Sequence, residues 1–216
     1  MISKNFKNRI ITSFFLLLLI YLIFMNNFIL VYSLLILSLL SFFEFTNLLK
    51  KIYKNKLFFY LSINFFLLYL SIFSFFIFIL MNFYQSKILI FVTLVGCIAS
   101  DVGGYFIGKT LKGPKLTRIS PKKTISGAIG SIIFTILSIS LISNIFFKNF
   151  SLKILIISVV ISLSCQIGDL FFSLIKRKAK LKDTGNFLPG HGGVLDRLDG
   201  ILIGVPVGLI TFLIFY

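Results

Sequence analysis

The stretch IITSFFLLLLIYLIFM, residues 10–25, decides the fold. It is one continuous apolar run without a charged residue. An outer-membrane barrel strand would alternate polar and apolar residues over segments of roughly ten. Lipid offers the backbone no hydrogen-bond partner, so a continuous run crosses as a helix. The rest of the chain follows the same rule. Of its 216 residues, 58% are hydrophobic and only 13% charged, where soluble domains carry about 25% charge. Taking about 20 residues per crossing, the chain reads as an all-α polytopic membrane protein with about seven transmembrane helices. They lie at roughly 10–25, 28–43, 57–81, 88–108, 126–147, 152–175 and 199–216. Lys4, Lys7 and Arg9 ahead of the first run imitate a secretory signal, but no small-residue cleavage site follows. The run is therefore expected to stay as the first helix.

The formal charge of +16 is read as a membrane property and not as a nucleic-acid footprint, because the cations sit in short loops between apolar runs. The N-terminus, the loop near 44–56, the loop near 109–124 and the segment 176–198 together hold nineteen Lys and Arg residues. The alternate connections hold three: Lys87, Lys148 and Lys153. The positive-inside rule then puts the N-terminus and both large basic loops in the cytoplasm and the C-terminus outside. Cys97 and Cys165 fall inside apolar runs and are expected to be packing residues.

The six acids are Glu44, Asp101, Asp169, Asp183, Asp196 and Asp199. Asp101 and Asp169 lie at membrane depth, where an ionisable group needs a partner or a wet cavity. Asp196 and Asp199 are three apart, which on a helix puts them on one face. Carboxylates gathered beside basic loops suit a Mg²⁺ site serving a phosphorylated substrate. The competing account is that each Asp pairs with a nearby Lys or Arg for structure alone.

From Ser173 the chain reads SLIKRKAKLKDTGNFLPGHGGVLDRLD, ending at Asp199. This segment resembles the signature of the phosphatidate cytidylyltransferase family at Ser173, Lys176, Arg177, Lys182, Asp183, Gly185, Pro189, His191, Gly192, Gly193, Asp196, Arg197 and Asp199. So many fixed identities make the match specific, unlike a lone GxGxxG. Two further blocks are similar to the family's: Ser100 to Tyr105 with Gly108 and Lys109, and Ser120-Pro121-Lys122-Lys123-Thr124 with Gly127. One departure is Ser126, where the family usually has Glu. The resemblance covers roughly residues 96–216, the expected catalytic domain with cytoplasmic loops 109–124 and 176–198. Residues 1–95 match only as apolar spans.

The resemblance implies an enzyme of the bacterial inner membrane with its active site facing the cytoplasm. It would transfer a cytidylyl group from CTP to phosphatidic acid, giving CDP-diacylglycerol and pyrophosphate for phospholipid synthesis. It implies a metal centre on Asp169, Asp196 and Asp199, holding Mg²⁺ and room for a second cation. Lys176, Arg177 and Arg197, with Lys122 and Lys123, would engage the triphosphate or lipid headgroup. Ser173, Lys182, Asp183, His191, Gly192 and Gly193 complete the substrate-binding set. In it, Asp183 orients Lys182 or Arg177, and the glycine turn brings N–H groups to phosphate. Asp101 and Tyr105 would line the cavity. A homodimer is allowed. The chemistry fits these residues. The nucleophile is already an anion, so the demands are charge neutralisation, in-line positioning and leaving-group stabilisation. A CTP-using lipid kinase and an ion transporter are the competing readings; the full signature argues against the first, and the lack of an internal repeat against the second.

Overall fold

The computed structural model describes residues 14–15, 18–117, 119–147, 151–185, 187 and 192–215. Residues 14–15 and 18–25 are helical. Six longer helices follow: α1 (Asn27–Ile52), α2 (Lys56–Leu80), α3 (Tyr84–Leu111), α4 (Ile125–Phe147), α5 (Leu152–Lys178) and α6 (Leu195–Phe215). Each of the six is long and apolar enough to cross a membrane. With the run at 10–25, helical where it is described, the expected count of about seven is close to the six spans seen. The chain is an all-α polytopic membrane protein.

The helices begin and end where caps dictate. The Asn26 side chain accepts from the N–H of Phe28 at 2.8 Å, and Asn55 does the same for Leu57 at 2.9 Å. Each satisfies one of the donors that a helix start leaves open. Helix edges differ from the apolar runs. α1 continues nine residues past the expected end at 43 and carries Glu44, Lys50 and Lys51 as helical residues. α5 continues to Lys178 and α6 starts at Leu195, so the loop expected over 176–198 is shorter and Lys176, Arg177 and Asp196 stand on helices. Hydropathy changes where the surroundings change, while the i→i−4 hydrogen-bond ladder runs on through charged side chains.

Two compact units make up the chain. The first comprises the described residues up to Lys87 together with Ile175–Leu198; the second comprises Ile88–Leu174 and the residues from Asp199 on. In the first unit α1 and α2 are joined by three residues and meet through a Phe45–Phe66 ring stack, centroids 3.9 Å apart, and a Ser38–Ser74 hydrogen bond of 3.0 Å. The end of α5 is also closed within this unit. The N–H of Leu181 donates to the carbonyl of Lys176 (2.9 Å), and that of Lys180 to Arg177 (3.0 Å). This is a Schellman cap with Lys180 at φ 56, the left-handed position where glycine is usual.

In the second unit small residues let backbones touch. A Cβ on Gly103 would meet the Gly130 carbonyl at 2.7 Å, and one on Gly127 the Gly104 carbonyl at 2.8 Å, so α3 and α4 cross with almost no side chain between them. A Cβ on Gly168 would meet the Asp199 carbonyl at 2.5 Å, which makes the same kind of crossing between α5 and α6. Helix association in lipid relies on such packing, because tails and side chains are equally apolar. Cys97 and Cys165 are free thiols, both buried. Their sulfurs fill the space left by Gly204 of α6. Gly204→Ala is therefore expected to cost about 1–3 kcal/mol by overpacking. Adding Cys165→Ala should restore most of it, as read by thermal unfolding in detergent.

Candidate functional site

In the second unit, the described residues among 112–124 double back on themselves after α3. Lys112 (φ 53) and Gly113 (φ 121) make the turn. The N–H of Leu116 donates to the Lys123 carbonyl at 2.8 Å and that of Ile125 to the Pro114 carbonyl at 3.0 Å. Ser126 closes the base of this clip: its hydroxyl donates to the Lys112 carbonyl and shares a 3.0 Å hydrogen bond with Thr124. The position where the family usually has Glu thus holds the loop shut with a hydroxyl. The clip presents Lys122 exposed and Lys123 half-buried. Lys123 forms an ion pair with Asp169, whose other oxygen accepts from Ser173 one turn further along α5 at 3.3 Å.

Asp169 follows Gly168, and Asp199 precedes Gly200, at the backbone contact between α5 and α6. Both residues therefore stand next to one helix crossing. Asp199 is buried at 8% exposure and its Oδ1 accepts from the N–H of Gly200 at 2.9 Å. Asp101 is exposed on α3, and Tyr105, also exposed, receives Lys109 over its ring at 5.5 Å and at its hydroxyl at 3.4 Å.

The first unit holds the signature loop. Lys176, at the end of α5, donates to Asp196 Oδ1 at 2.7 Å, and both side chains are about nine-tenths buried. Asp196 Oδ2 accepts from the N–H of Thr184 (2.8 Å) and of Gly193 (3.1 Å). Across the same loop lies Glu44 of α1, 1% exposed. Its Oε1 accepts from the N–H of Val194 (2.9 Å), and its Oε2 from the N–H of Leu195 (2.9 Å) and the hydroxyl of Thr184 (2.6 Å). Arg177 donates to the Leu181 carbonyl at 3.3 Å, while Lys182, Asp183 and Arg197 are exposed. His191, with Pro189 and Gly190, lies outside the described residues.

Two expectations change here. The turn from Pro189 to Gly193 is expected to bring backbone N–H groups to phosphate; of it only Gly192 and Gly193 are among the described residues. Instead, the N–H of Gly193 is taken by Asp196, and a Cβ on Gly193 or Gly185 would strike the Glu44 carboxylate at 2.5 or 2.6 Å. Room for that carboxylate demands glycine at Gly185, and room for it and for the still closer Thr184 hydroxyl demands glycine at Gly193; Gly192 is needed for its φ of 83. The metal set also divides. Asp196 is engaged by an ammonium and two N–H groups, so a cation on it would have to displace Lys176. Asp169 is engaged as well, by the Lys123 ammonium and the Ser173 hydroxyl, though it is less buried than Asp196, while Asp199 is buried. Within each unit, among the described residues, no cluster of three or more His, Cys, Asp or Glu side chains is placed to hold a metal ion.

Sequence reasoning missed Glu44 and Thr184. A Glu at the end of an apolar run, in a chain with six acids, was the available signal. Breaking a buried pair from one side costs more than removing both members. Lys176→Met and Asp196→Asn should each lower unfolding stability by about 3 kcal/mol. The double variant should lose clearly less than the two losses added together, as measured by a double-mutant cycle of detergent unfolding.

Among curated proteins, the chain is 46% identical over 116 residues to the phosphatidate cytidylyltransferase of Rickettsia bellii, covering 50% of each chain. It is 43% identical over 111 residues to that of Helicobacter pylori, covering 51% of this chain and 42% of the relative. For the Brucella suis protein of the same name the figures are 42% over 105 residues, 48% of this chain and 39% of the relative. The matched part thus spans about half the length of these relatives. The model of the cytidylyltransferase family extends further, matching residues 1–215, and the chain belongs to that family.

Proposed function

We propose that the protein transfers the cytidylyl group of CTP to phosphatidic acid, releasing pyrophosphate and leaving CDP-diacylglycerol in the membrane. What carries this reading is the signature from Ser173 to Asp199, whose Lys176 and Asp196 form a buried pair with the loop bonded around them. The named relatives, each a phosphatidate cytidylyltransferase, support the same activity.

In the reaction a phosphate oxygen of phosphatidate bonds to the α-phosphorus of CTP. The bond from that phosphorus to the bridging oxygen breaks, and pyrophosphate leaves with the electron pair. No proton has to be removed from the nucleophile. The protein's task is to bring anions together and hold them in line. Lys122 and Lys123 stand on a clip fixed by backbone bonds and Ser126, so their charge is offered to phosphate with little loss of backbone freedom. Arg177, Lys182 and Arg197 supply further cations on and beside the signature loop, with Arg suited to bidentate phosphate contact. Ser173 orients Asp169. Asp169, once released by Lys123, and Asp199 would hold Mg²⁺, which would supply charge neutralisation at the phosphates and the leaving pyrophosphate.

The alternation of basic loops supports a reading in which this chemistry faces the cytoplasm across a bacterial inner membrane, with the C-terminus outside. Alkaline phosphatase fused after residue 216 should then be active in whole cells, and a fusion in the 179–194 loop inactive; the reverse pattern would overturn the orientation.

The function is tested with purified protein, phosphatidate in mixed micelles and CTP labelled in the base. The expected products are a cytidylylated lipid and pyrophosphate in equal amounts. Release of CDP with no cytidylylated lipid would assign a kinase instead. Asp169→Asn and Asp199→Asn should each lower turnover by at least about a hundredfold with insertion unchanged. Wild-type rates in both would remove the metal assignment.

A further inference from the structure

We propose that Glu44 is a positioning residue for this reaction, acting through the N–H groups of Val194 and Leu195 and the hydroxyl of Thr184. The inference rests on the activity proposed above and concerns a residue that lies 140 to 151 positions earlier in the chain than its partners.

Thr184 connects the two carboxylates of the loop. Its hydroxyl donates to Glu44 and its N–H to Asp196. Asp196 in turn receives Lys176. A shift of Glu44 therefore passes through one residue to the buried Lys176–Asp196 pair. It also releases the start of α6, which carries Asp196 and Arg197. Lys182 and Asp183 lie on the same tethered segment, just ahead of Thr184.

Packing alone would not select this side chain. A Leu or Met of similar size would fill the space without the cost of burying a carboxylate. The neighbourhood is instead built around the charge. Three donors converge on it, and Gly185 and Gly193 leave room for its oxygens. A carboxylate that accepts from backbone N–H groups of a loop fixes backbone positions, which an apolar contact does not.

Glu44→Gln keeps the shape but turns one acceptor into an N–H₂ group, which then faces the N–H of Val194 or of Leu195. The full chain in detergent micelles should lose about a hundredfold in kcat, the scale of a small misplacement of reacting groups. Its KM for CTP should change by less than about threefold, since binding groups remain present. Hydrogen exchange at residues 192–198 should accelerate. Phe45→Ala, one residue away, removes the ring stack with Phe66 and serves as the control. It should lower thermal stability yet keep kcat within about twofold and leave exchange at 192–198 unchanged.

If both variants lose kcat only in proportion to lost folded protein, Glu44 is a packing residue and the proposal is overturned. Wild-type kcat in Glu44→Gln overturns it as well. Should Glu44→Gln fail to insert, Thr184→Val decides. It removes one of the three contacts and should lower kcat about tenfold, so an unchanged kcat there is a refutation. If the wild-type protein makes no cytidylylated lipid, the activity reading is what fails. The exchange measurement needs no substrate and still shows whether Glu44 holds the loop.

Discussion

The N–H groups at the start of α6 point along the helix with no carbonyl ahead of them. In this chain they and their neighbours are met by carboxylates. Glu44 accepts from Val194 and Leu195, and Asp196 folds back to accept from Gly193 and Thr184. The N–H of Arg197 reaches the Val194 carbonyl at 3.0 Å. The helix dipole favours negative charge at this end, so both acids sit where the backbone itself attracts them. With these bonds made, the signature loop is joined to α1 at one end and to α5, through Lys176, at the other.

The chain has 22 cationic side chains and six acidic ones. An acid is therefore a scarce resource, and its placement carries information. Glu44 is used on backbone, Asp196 on Lys176 and backbone, Asp169 on Lys123 and Ser173. The Lys123–Asp169 pair differs from Lys176–Asp196 in being only about two-thirds to three-quarters buried, so both of its members remain reachable. In the proposed reaction that difference matters. An incoming nucleotide with its cation brings both signs of charge, and a partly exposed pair exchanges partners at lower cost than a buried one. The buried pair is suited to hold shape, the exposed one to meet substrate.

Much of the architecture was legible in the sequence because membrane crossing imposes a length and a polarity on each segment. What hydropathy did not give is where helices stop. Lys50 and Lys51, Lys176 to Lys178, and Asp196 are all helical and all charged; the apolar window ends before the first two groups and begins only after Asp196. The candidate site was legible in its residue types and only partly in their roles. Lys123, Ser173 and Asp169, all marked by residue type, lie together. Glu44 could not be assigned, because its meaning resides in contacts with residues 184, 194 and 195, and no local pattern encodes a bond across 140 positions or more.

The glycines show why a motif read without coordinates mixes two kinds of constraint. A Gly-rich turn next to cations reads naturally as a phosphate cradle, since the absence of a Cβ lets a ligand approach the backbone. Here the same absence lets another part of the chain approach. At Gly185 the space a Cβ would fill belongs to the Glu44 carboxylate, at Gly193 to the Thr184 hydroxyl and that carboxylate together, and the Gly193 N–H belongs to Asp196. Fixed identities in such a segment therefore need not touch substrate. Some, like Lys182 and Arg197, leave their charge at the surface where a phosphate can meet it. Others exist so that a buried carboxylate can hold the backbone from which those charges project.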